Sequence, residues 1–379
     1  MNDRIEKLAA QNTPTRDRVA GVFQLAALVT LFVAFFGGLL ASVFELFRFV
    51  DFLLLQDWTW GWRLFGRASL MFVVGVVVIR ISWWLSLAIL GLVTRKYDSP
   101  AYASDTILLD RQEHSTLHDR VDDICQQVKA PRPNQIRLNP LPQCFVIEER
   151  RFSFSTKRSL TLVLGLPQML VFTMAELRVV LVHEMAHFGN SDTTLIVFLF
   201  RFVESLRLAL SELRQRWWHR IDPLYWFFST FYAALHFVAM PIQRRIELRA
   251  DRISAALCGG DLAAHTLLKD WFIDGQFDEA AKVWCEHETE SPARVNVFQL
   301  FMDRWRELSP DAEQYLVERF AQERRLPESD THPTNHDRLT LMGQYPAVEF
   351  RDGRPALALL PDHKDLELEA AMLLHVTAE

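Results

Sequence analysis

Three residues in the middle of the chain, His183, Glu184 and His187, have the types and the spacing for metal-assisted chemistry. Residues four apart in a helix lie one above the other, so the two imidazoles can bind a single ion together. Zinc is an ion that imidazoles and carboxylates commonly bind in proteins. A glutamate beside such an ion can act as a general base. The alternative is a helix with two incidental histidines.

The residues around this triplet, TMAELRVVLVHEMAHFG, predict one buried helix over 173–189. Thr173 with Glu176 three residues later has the pattern of a capping box. Gly189 is placed to be the left-handed residue that ends a helix. The Leu, Val, Met and Ala residues between these ends predict that the helix is buried. Burying two imidazoles and a carboxylate is costly without a partner, and a zinc ion would supply one.

A second helix is predicted over 243–260, QRRIELRADRISAALCGG, and ends at a pair of glycines. Glu247 and Asp251 are four residues apart in it and share one face. Glu247 can supply a third ligand to the ion of His183 and His187, and Asp251 can orient a liganding imidazole. The alternative is an ordinary solvated helix face.

The composition excludes several classes of protein. Among 379 residues half are hydrophobic, and the net charge of −6 gives no indication of a nucleic-acid partner. The four cysteines are widely spaced without a C-x-x-C pair, which argues against a disulfide framework and against a cysteine-rich zinc site. A reducing compartment is the simple expectation.

Two apolar runs near the N terminus, 19–44 and 68–93, are each long enough to cross a bilayer. Basic residues precede the first run and follow the second, so the positive-inside rule places both ends in the cytoplasm. Arg80 lies near the middle of the second run, where it either faces a protein interior or lines a polar path. No signal-peptide cleavage signature follows the first run, which predicts an anchor.

After the second apolar run the composition becomes that of a soluble domain. Residues 106–129 predict an amphipathic helix, with His114 and His118 on a solvated face. The stretches 135–148 and 151–164 predict strands. The second stretch leads into the helix of the triplet, and a peptide substrate could add to its edge as an extra strand.

Residues 193–241 contain two further apolar segments, the first interrupted by three charged residues. If Glu247 binds the same ion as His183, the chain returns to the side it left. Both segments therefore cross the membrane, or neither does. Because the charges would be costly in a full span, we favour a helical hairpin that dips into the membrane or lies along it.

Three segments together carry a family resemblance: HEMAHFGNSD from His183, ELRAD from Glu247 and THPTNHDRL from Thr331. They resemble the integral-membrane zinc endopeptidases of the HtpX and CAAX prenyl-protease class, called gluzincins because a glutamate completes the metal site. The resemblance covers roughly 107–345 and includes the lead-in LVLGLPQML. The two preceding apolar runs match the HtpX-like layout.

The resemblance implies a role for each matching position. It implies that His183, His187 and Glu247 are the zinc ligands. It implies that Glu184 is the general base and that Asp251 lies beside the ligands. It also implies that His332 hydrogen-bonds the oxyanion and that Arg338 holds carboxylates in place. The alternative for these two residues is a surface turn around Pro333.

The chain departs from the family pattern in two respects. Gln143, Cys144 and Phe145 stand where many members have Asn-Ala-Phe before the strands. The apolar runs are too few for the many-helix chamber of the prenyl proteases. A membrane or misfolded protein is therefore favoured as the substrate over a prenylated one.

We expect a mostly α fold with a small β-sheet (α+β), in which an N-terminal transmembrane helical hairpin precedes a gluzincin-type zinc peptidase domain. The predicted domains begin with a cytoplasmic tail (1–18) and a transmembrane hairpin (19–93). The peptidase domain follows in two segments (94–192 and 242–345), separated by a membrane-associated or membrane-spanning hairpin (193–241). The chain ends in a C-terminal tail (346–379).

The predicted function is that of a membrane-anchored zinc-dependent endopeptidase of protein quality control, which hydrolyses membrane or misfolded proteins through a zinc-activated water with Glu184 as general base. The cofactor is Zn2+, and the partners are a protein or peptide substrate and the lipid bilayer, with no nucleic acid and with homo-oligomerisation left open. We expect it in the bacterial inner (plasma) membrane with its catalytic domain facing the cytoplasm. The alternatives are a latent or non-turnover protease-like sensor or scaffold, and a prenyl-protein-type processing protease.

Overall fold

The computed structural model describes most of the chain beyond residue 104. The described residues are 105–150, 158–189, 223–290, 296–308, 333–348 and 352–378, with isolated positions between 26 and 76 and between 203 and 220. The chain divides into two compact units. The first comprises residues 1–14, 96–191 and 243–379, and the second comprises residues 15–95 and 192–242.

One four-stranded sheet lies in the first unit. Its strands are β1 Ile107–Leu108, β2 Gln135–Asn139, β3 Phe145–Arg150 and β4 Arg158–Gly165. The strand order is β1-β2-β4-β3, with β2 parallel to β4 and the other two pairs antiparallel. The prediction that β4 offers its edge to a substrate is wrong, because β4 is paired on both sides. The outer strand next to it is β3.

Eight α-helices and one 3-10 helix are found among the described stretches. They are α1 Ser115–Val128, α2 Leu166–Val171, α3 Met174–Ala186, α4 Pro223–Cys258, α5 Gly260–Glu290, α6 Val297–Glu307, α7 Asn335–Met342, the 3-10 helix Ala356–Leu359 and α8 His363–Ala378. The mostly helical fold with a small sheet is therefore confirmed.

Helix α3 carries His183 and Glu184, has His187 as the residue directly after its end, and begins as predicted. The Oγ1 of Thr173 accepts a hydrogen bond from the Glu176 N–H at 3.3 Å, and the Glu176 carboxylate accepts one from the Thr173 N–H at 2.7 Å. This reciprocal pair is the capping box. The predicted C-terminus is wrong: α3 ends at Ala186, and Gly189 does not have a positive φ.

A distant segment completes the N-terminus of α3. The first N–H groups of a helix have no partner within it. Here the Met174 N–H donates to the Arg354 carbonyl at 2.7 Å, and the Ala175 N–H donates to the Asp352 carbonyl at 3.1 Å. We call residues 352–354 the strap, because their carbonyl groups bond the start of α3. The sequence assigns residues 352–378 to a C-terminal tail, but they contain the strap, a 3-10 helix and α8.

A glycine pair separates the two longest helices. Helix α4 ends at Cys258, and Gly259 has a φ of 95°, which only glycine adopts easily. A Cβ on Gly260 would lie 2.1 Å from the Met342 carbonyl oxygen, so α5 begins in close contact with the end of α7. The predicted helix end at this pair is confirmed.

In the core of the first unit, the sheet packs against helices from several parts of the chain. Four phenylalanines are almost fully buried in it and lie on or beside α2, α5 and α6: Phe172, Phe277, Phe298 and Phe301. Burial of such apolar surface is the main favourable contribution to folding. It holds α3 and α5 against each other, and these two helices carry most of the site.

Two further predictions are wrong in the region before β2. Residues 107–108 form β1, and the helix begins only at Ser115. His114 and His118 are both buried and not on a solvated face. The His114 Nε2 lies 2.9 Å from the Asp362 carboxylate, and the His118 Nε2 lies 3.0 Å from the Leu109 carbonyl.

The membrane predictions remain open in the described portion of the chain. None of the helices in this portion combines the length and the apolar character that a bilayer crossing requires. Apart from isolated helical positions, the predicted spans 19–44 and 68–93, with Arg80, lie outside the described residues. Of the predicted hairpin 193–241, the portion from Pro223 belongs to α4.

Candidate functional site

His183 on α3 and His187, the residue directly after α3, lie close together because they are one helical turn apart. The ring centroids of His183 and His187 are 5.0 Å apart, and the rings are nearly perpendicular at 83°. Their side chains are 15% and 20% exposed, respectively. Two imidazoles at the edge of a buried helix are thus presented to one point in space.

Glu247 on α4 faces both rings. Its Oε2 lies 3.5 Å from the His183 Nε2, and its Oε1 lies 3.7 Å from the His187 Nε2. One ligand atom from each of the three residues lies within 4.8 Å of the other two. Ligand atoms about 2.0–2.1 Å from a tetrahedral zinc are about 3.3 Å apart from each other. The three side chains therefore fit a shared cation better than they fit direct hydrogen bonds.

Asp251 fixes the orientation of the first imidazole. Its Oδ1 lies 3.1 Å from the His183 Nδ1, which leaves the His183 Nε2 on the side of Glu247. Asp251 is fully buried, and Arg338 on α7 donates two hydrogen bonds of 2.7 Å to its two oxygens. A carboxylate that bonds the far nitrogen of a histidine is the usual support of a metal ligand.

These residues line one cavity of about 350 Å3 in the first unit. Glu184 shares this cavity with the three ligand-type residues. The rest of the wall comes from β3, α3, α4, α5 and α7, through Cys144, Phe145, Val179, Val180, Ser254, Ala263, Thr266, Leu267, Asp270, Trp271 and Met342. The cavity combines apolar surface with a small number of converging polar groups, as ligand sites do.

A comparison with protein families decides the class of this site. The model of peptidase family M48 matches residues 112–343, which is more than half of the chain. The chain belongs to peptidase family M48. No curated protein and no solved structure gives a significant match. As an M48 member the chain belongs to a family of metallopeptidases, and the ligand-type cluster lies inside the matched region.

The electrostatics of this M48 site follow from burial and from close partners. Burial raises the pKa of Glu184 to about 7, with a further increase from Glu247 that His183 opposes. Burial alone would raise the pKa of Asp251, but Arg338 and His183 outweigh it and lower the pKa to about 2.

The two imidazoles differ because their partners differ. Burial lowers the pKa of His183, but the nearby carboxylates of Asp251 and Glu247 reverse that effect and raise it. Burial lowers the pKa of His187, and the neighbouring His183 lowers it further. The protein's own groups therefore hold His187 neutral, which is the form that donates a lone pair to a metal.

The structure describes only part of the segment THPTNHDRL, residues 331–339. His332 lies outside the described residues. Arg338 is on α7, whose first turn is capped by Thr334 through a 3.0 Å hydrogen bond from the Asp337 N–H. The structure thus brings together six of the seven residues that the sequence selects, and all six line the cavity: His183, Glu184, His187, Glu247, Asp251 and Arg338.

One charged residue of the cavity wall, Asp270, has no place in the sequence motifs. Asp270 on α5 lines the wall, and Gln168 on α2 donates a hydrogen bond of 3.1 Å to its Oδ1. The only available indication in the sequence is the helical spacing of residues on α5. That spacing becomes informative only when it is known which face of α5 meets α3.

Proposed function

We propose that this M48 peptidase is a membrane-anchored, zinc-dependent endopeptidase that hydrolyses peptide bonds of membrane or misfolded proteins. The observation that carries the proposal is the convergence of His183, His187 and Glu247 within 4.8 Å, beside Glu184, in one cavity. The match to the M48 model supports the same chemistry.

Three side chains would hold the metal. They are the two imidazoles of α3 and the Glu247 carboxylate of α4, which form the donor set of a gluzincin site. A zinc ion bound there supplies a Lewis acid that polarises the scissile carbonyl and makes water more acidic. Asp251 and Arg338 keep the His183 ring in its orientation, so the site is formed before substrate arrives.

Glu184 moves the protons of the reaction. Its carboxylate takes one proton from the attacking water, whose oxygen forms a bond to the carbonyl carbon of the substrate. When the carbon–nitrogen bond breaks, Glu184 gives that proton to the leaving amine. His332 remains our candidate for a hydrogen bond to the oxyanion.

The sheet offers a place for an extended substrate. Strand β3 is the outer strand of the order β1-β2-β4-β3, and Phe145 at its start lines the cavity together with Cys144. A peptide that pairs with an outer strand gains main-chain hydrogen bonds that do not depend on its sequence. This mode suits an endopeptidase that acts on unfolded chains.

Membrane anchoring rests on the apolar runs of the sequence. The segments 19–93 and 193–241, which are expected at the membrane, both fall within one compact unit, formed by residues 15–95 and 192–242. Basic residues flank the two N-terminal runs and favour a cytoplasmic catalytic domain. The proposed location is a bacterial inner membrane.

The test measures metal content and cleavage together in protein purified in mild detergent. Wild type, Glu184→Gln and Glu247→Ala are compared for bound zinc and for cleavage of casein, an unfolded protein. We expect about one zinc per chain in wild type and in Glu184→Gln, less in Glu247→Ala, and cleavage by wild type alone. Correctly folded wild type without metal would contradict the peptidase proposal. Bound zinc without cleavage in any variant would favour the latent alternative.

A further inference from the structure

One face of α5 forms a wall of the cavity. Five residues with helical spacing lie along it, and only one of them is charged: Ala263, Thr266, Leu267, Asp270 and Trp271. The Thr266 hydroxyl donates a hydrogen bond to the Leu262 carbonyl within the helix. Asp270 is therefore the one residue of this face that presents a charge to the cavity.

Gln168 fixes the position of the Asp270 carboxylate through a hydrogen bond. Its side chain is 1% exposed, and its amide donates to the Asp270 Oδ1 at 3.1 Å. A buried amide that engages one carboxylate oxygen leaves the other oxygen oriented for a second partner. Asp270 is thus a positioned group, unlike a mobile carboxylate at the surface.

In the cavity, Arg338 and the two imidazoles contact carboxylates other than Asp270. Four carboxylates line the cavity, on Glu184, Glu247, Asp251 and Asp270. Arg338 directs two of its nitrogens at Asp251. Glu247 faces the two imidazoles, and Glu184 is the proposed base.

The nearest lysine in the sequence does not balance Asp270 either. The Lys269 ammonium bonds the Glu176 carboxylate at 2.9 Å and the Val171 carbonyl at 3.3 Å. Burial, with a smaller effect of Asp274, raises the pKa of Asp270 to about 6. The hydrogen bond from Gln168 and the charges of Arg338 and His183 act in the opposite direction but do not outweigh burial. A poorly solvated carboxylate of this kind gains most when a cation reaches it.

We propose that Asp270 is a specificity-determining residue that selects substrates with a basic side chain, Lys or Arg, at one fixed position relative to the scissile bond. This inference rests on the proposed peptidase function. The neighbouring Trp271 lines the same cavity and is 36% exposed, and an indole face attracts ammonium and guanidinium groups. The small and apolar residues of the α5 face suit the methylene stem of such a side chain.

The experiment first maps every bond of casein that wild type cleaves, by mass spectrometry. Two peptides are then made that differ only at the enriched position, one with Lys and one with Met. Values of kcat/KM are measured for wild type, Asp270→Asn and the control Asp274→Asn. Asp274 is exposed one turn further along α5 and does not line the cavity.

We expect wild type and Asp274→Asn to prefer the Lys peptide by about tenfold or more, the range of a hydrogen bond to a charged group. Asp270→Asn loses that preference, because its kcat/KM falls more for the Lys peptide than for the Met peptide. A binding measurement gives a second readout without turnover. In the Glu184→Gln background the labelled Lys peptide binds more tightly than the Met peptide, and adding Asp270→Asn removes the difference.

Several results would overturn the inference. They are cleavage by wild type without enrichment of Lys or Arg, an unchanged Lys preference in Asp270→Asn, and equal losses for both peptides. Each of these leaves the peptidase proposal standing. If wild type cleaves no substrate, the peptidase proposal fails and this inference fails with it.

Discussion

Arg338 donates two hydrogen bonds of 2.7 Å to Asp251, although 87 residues separate them in the chain. Asp251 in turn lies 3.1 Å from the His183 Nδ1. A guanidinium on α7 thereby sets the charge and the position of a carboxylate on α4, which orients an imidazole on α3. The pair links three helices at one point of the site.

Arg338→Lys tests this linkage. Lysine keeps the charge but cannot make the two parallel hydrogen bonds of the guanidinium. We expect zinc affinity to fall by about 10–100-fold, as is typical when the support of a ligand is lost. Competition with a chromophoric chelator measures it. Arg306→Lys is the control, because Arg306 pairs with Asp303 at an exposed site on α6. Unchanged zinc affinity in Arg338→Lys would contradict the assigned role.

Zinc removal is expected to destabilise the wild-type protein and not the Glu247→Ala variant. An ion that binds only the folded state adds about 4 kcal/mol at a free concentration one thousand times its Kd. The thermal unfolding midpoint is measured with and without chelator, for wild type, Glu247→Ala and Glu279→Ala. Glu279 pairs with Lys282 on the exposed face of α5, so its variant should respond as wild type does. Equal responses of the wild type and both variants would contradict Glu247 as a ligand.

Glu176 predicts an acid-sensitive contribution to stability. Burial raises its pKa, but His265, the Thr173 N–H and Lys269 together lower it from 4.5 to about 2. A group with a lowered folded pKa stabilises the fold above its unfolded pKa, and this stabilisation is lost as the pH falls. The difference in unfolding free energy between wild type and Glu176→Gln should reach about 3 kcal/mol at pH 6.

The same difference should shrink as the pH falls from about 5 towards 2, because wild-type Glu176 then becomes protonated too. Chemical unfolding at a series of pH values measures it. The control Glu279→Gln changes an exposed pair and should give little difference at any pH. A difference that stays constant between pH 6 and pH 2.5 would show that the Glu176 charge does not stabilise the fold.

Two glycines of α5 should respond oppositely to alanine. Gly260→Ala would place a Cβ 2.1 Å from the Met342 carbonyl oxygen, and we expect a loss of about 1–3 kcal/mol. Gly275→Ala meets nothing within 4 Å and should stabilise the helix by about 0.5–1 kcal/mol. Thermal unfolding of both variants measures the two effects. A neutral Gly260→Ala would contradict the close contact between α5 and the end of α7.

Local patterns predicted the features of the site that depend on neighbours in the sequence. The capping box of Thr173 and Glu176 needs only a spacing of three residues, and the pairing of His183 with His187 needs only a helical turn. Long-range packing was not predictable in this way. Asp270 reaches the cavity because α5 packs against α3, and no residue near it in the sequence records that contact.

The wrong prediction for His114 and His118 has the same physical origin. Polar neighbours on the helix suggested a solvated face, but the partner of His114 is Asp362, 248 residues later in the chain. A buried imidazole is acceptable only when it has such a hydrogen-bond partner. The prediction for Gly189 was wrong for a different reason. A glycine at a helix end can adopt a left-handed conformation, but it is not required to do so.

The strap at Asp352–Arg354 gives this peptidase an order of assembly during synthesis. Helix α3 leaves the ribosome long before the carbonyl groups that accept the Met174 and Ala175 N–H groups. We therefore expect a nascent chain to carry its complete set of proteolytic residues while the helix that presents them is still incompletely capped. Metal binding by ribosome-stalled chains of increasing length measures this, and tight binding before residue 352 emerges would contradict it. Late capping would delay metal binding until residues 352–354 have emerged and can pack against α3.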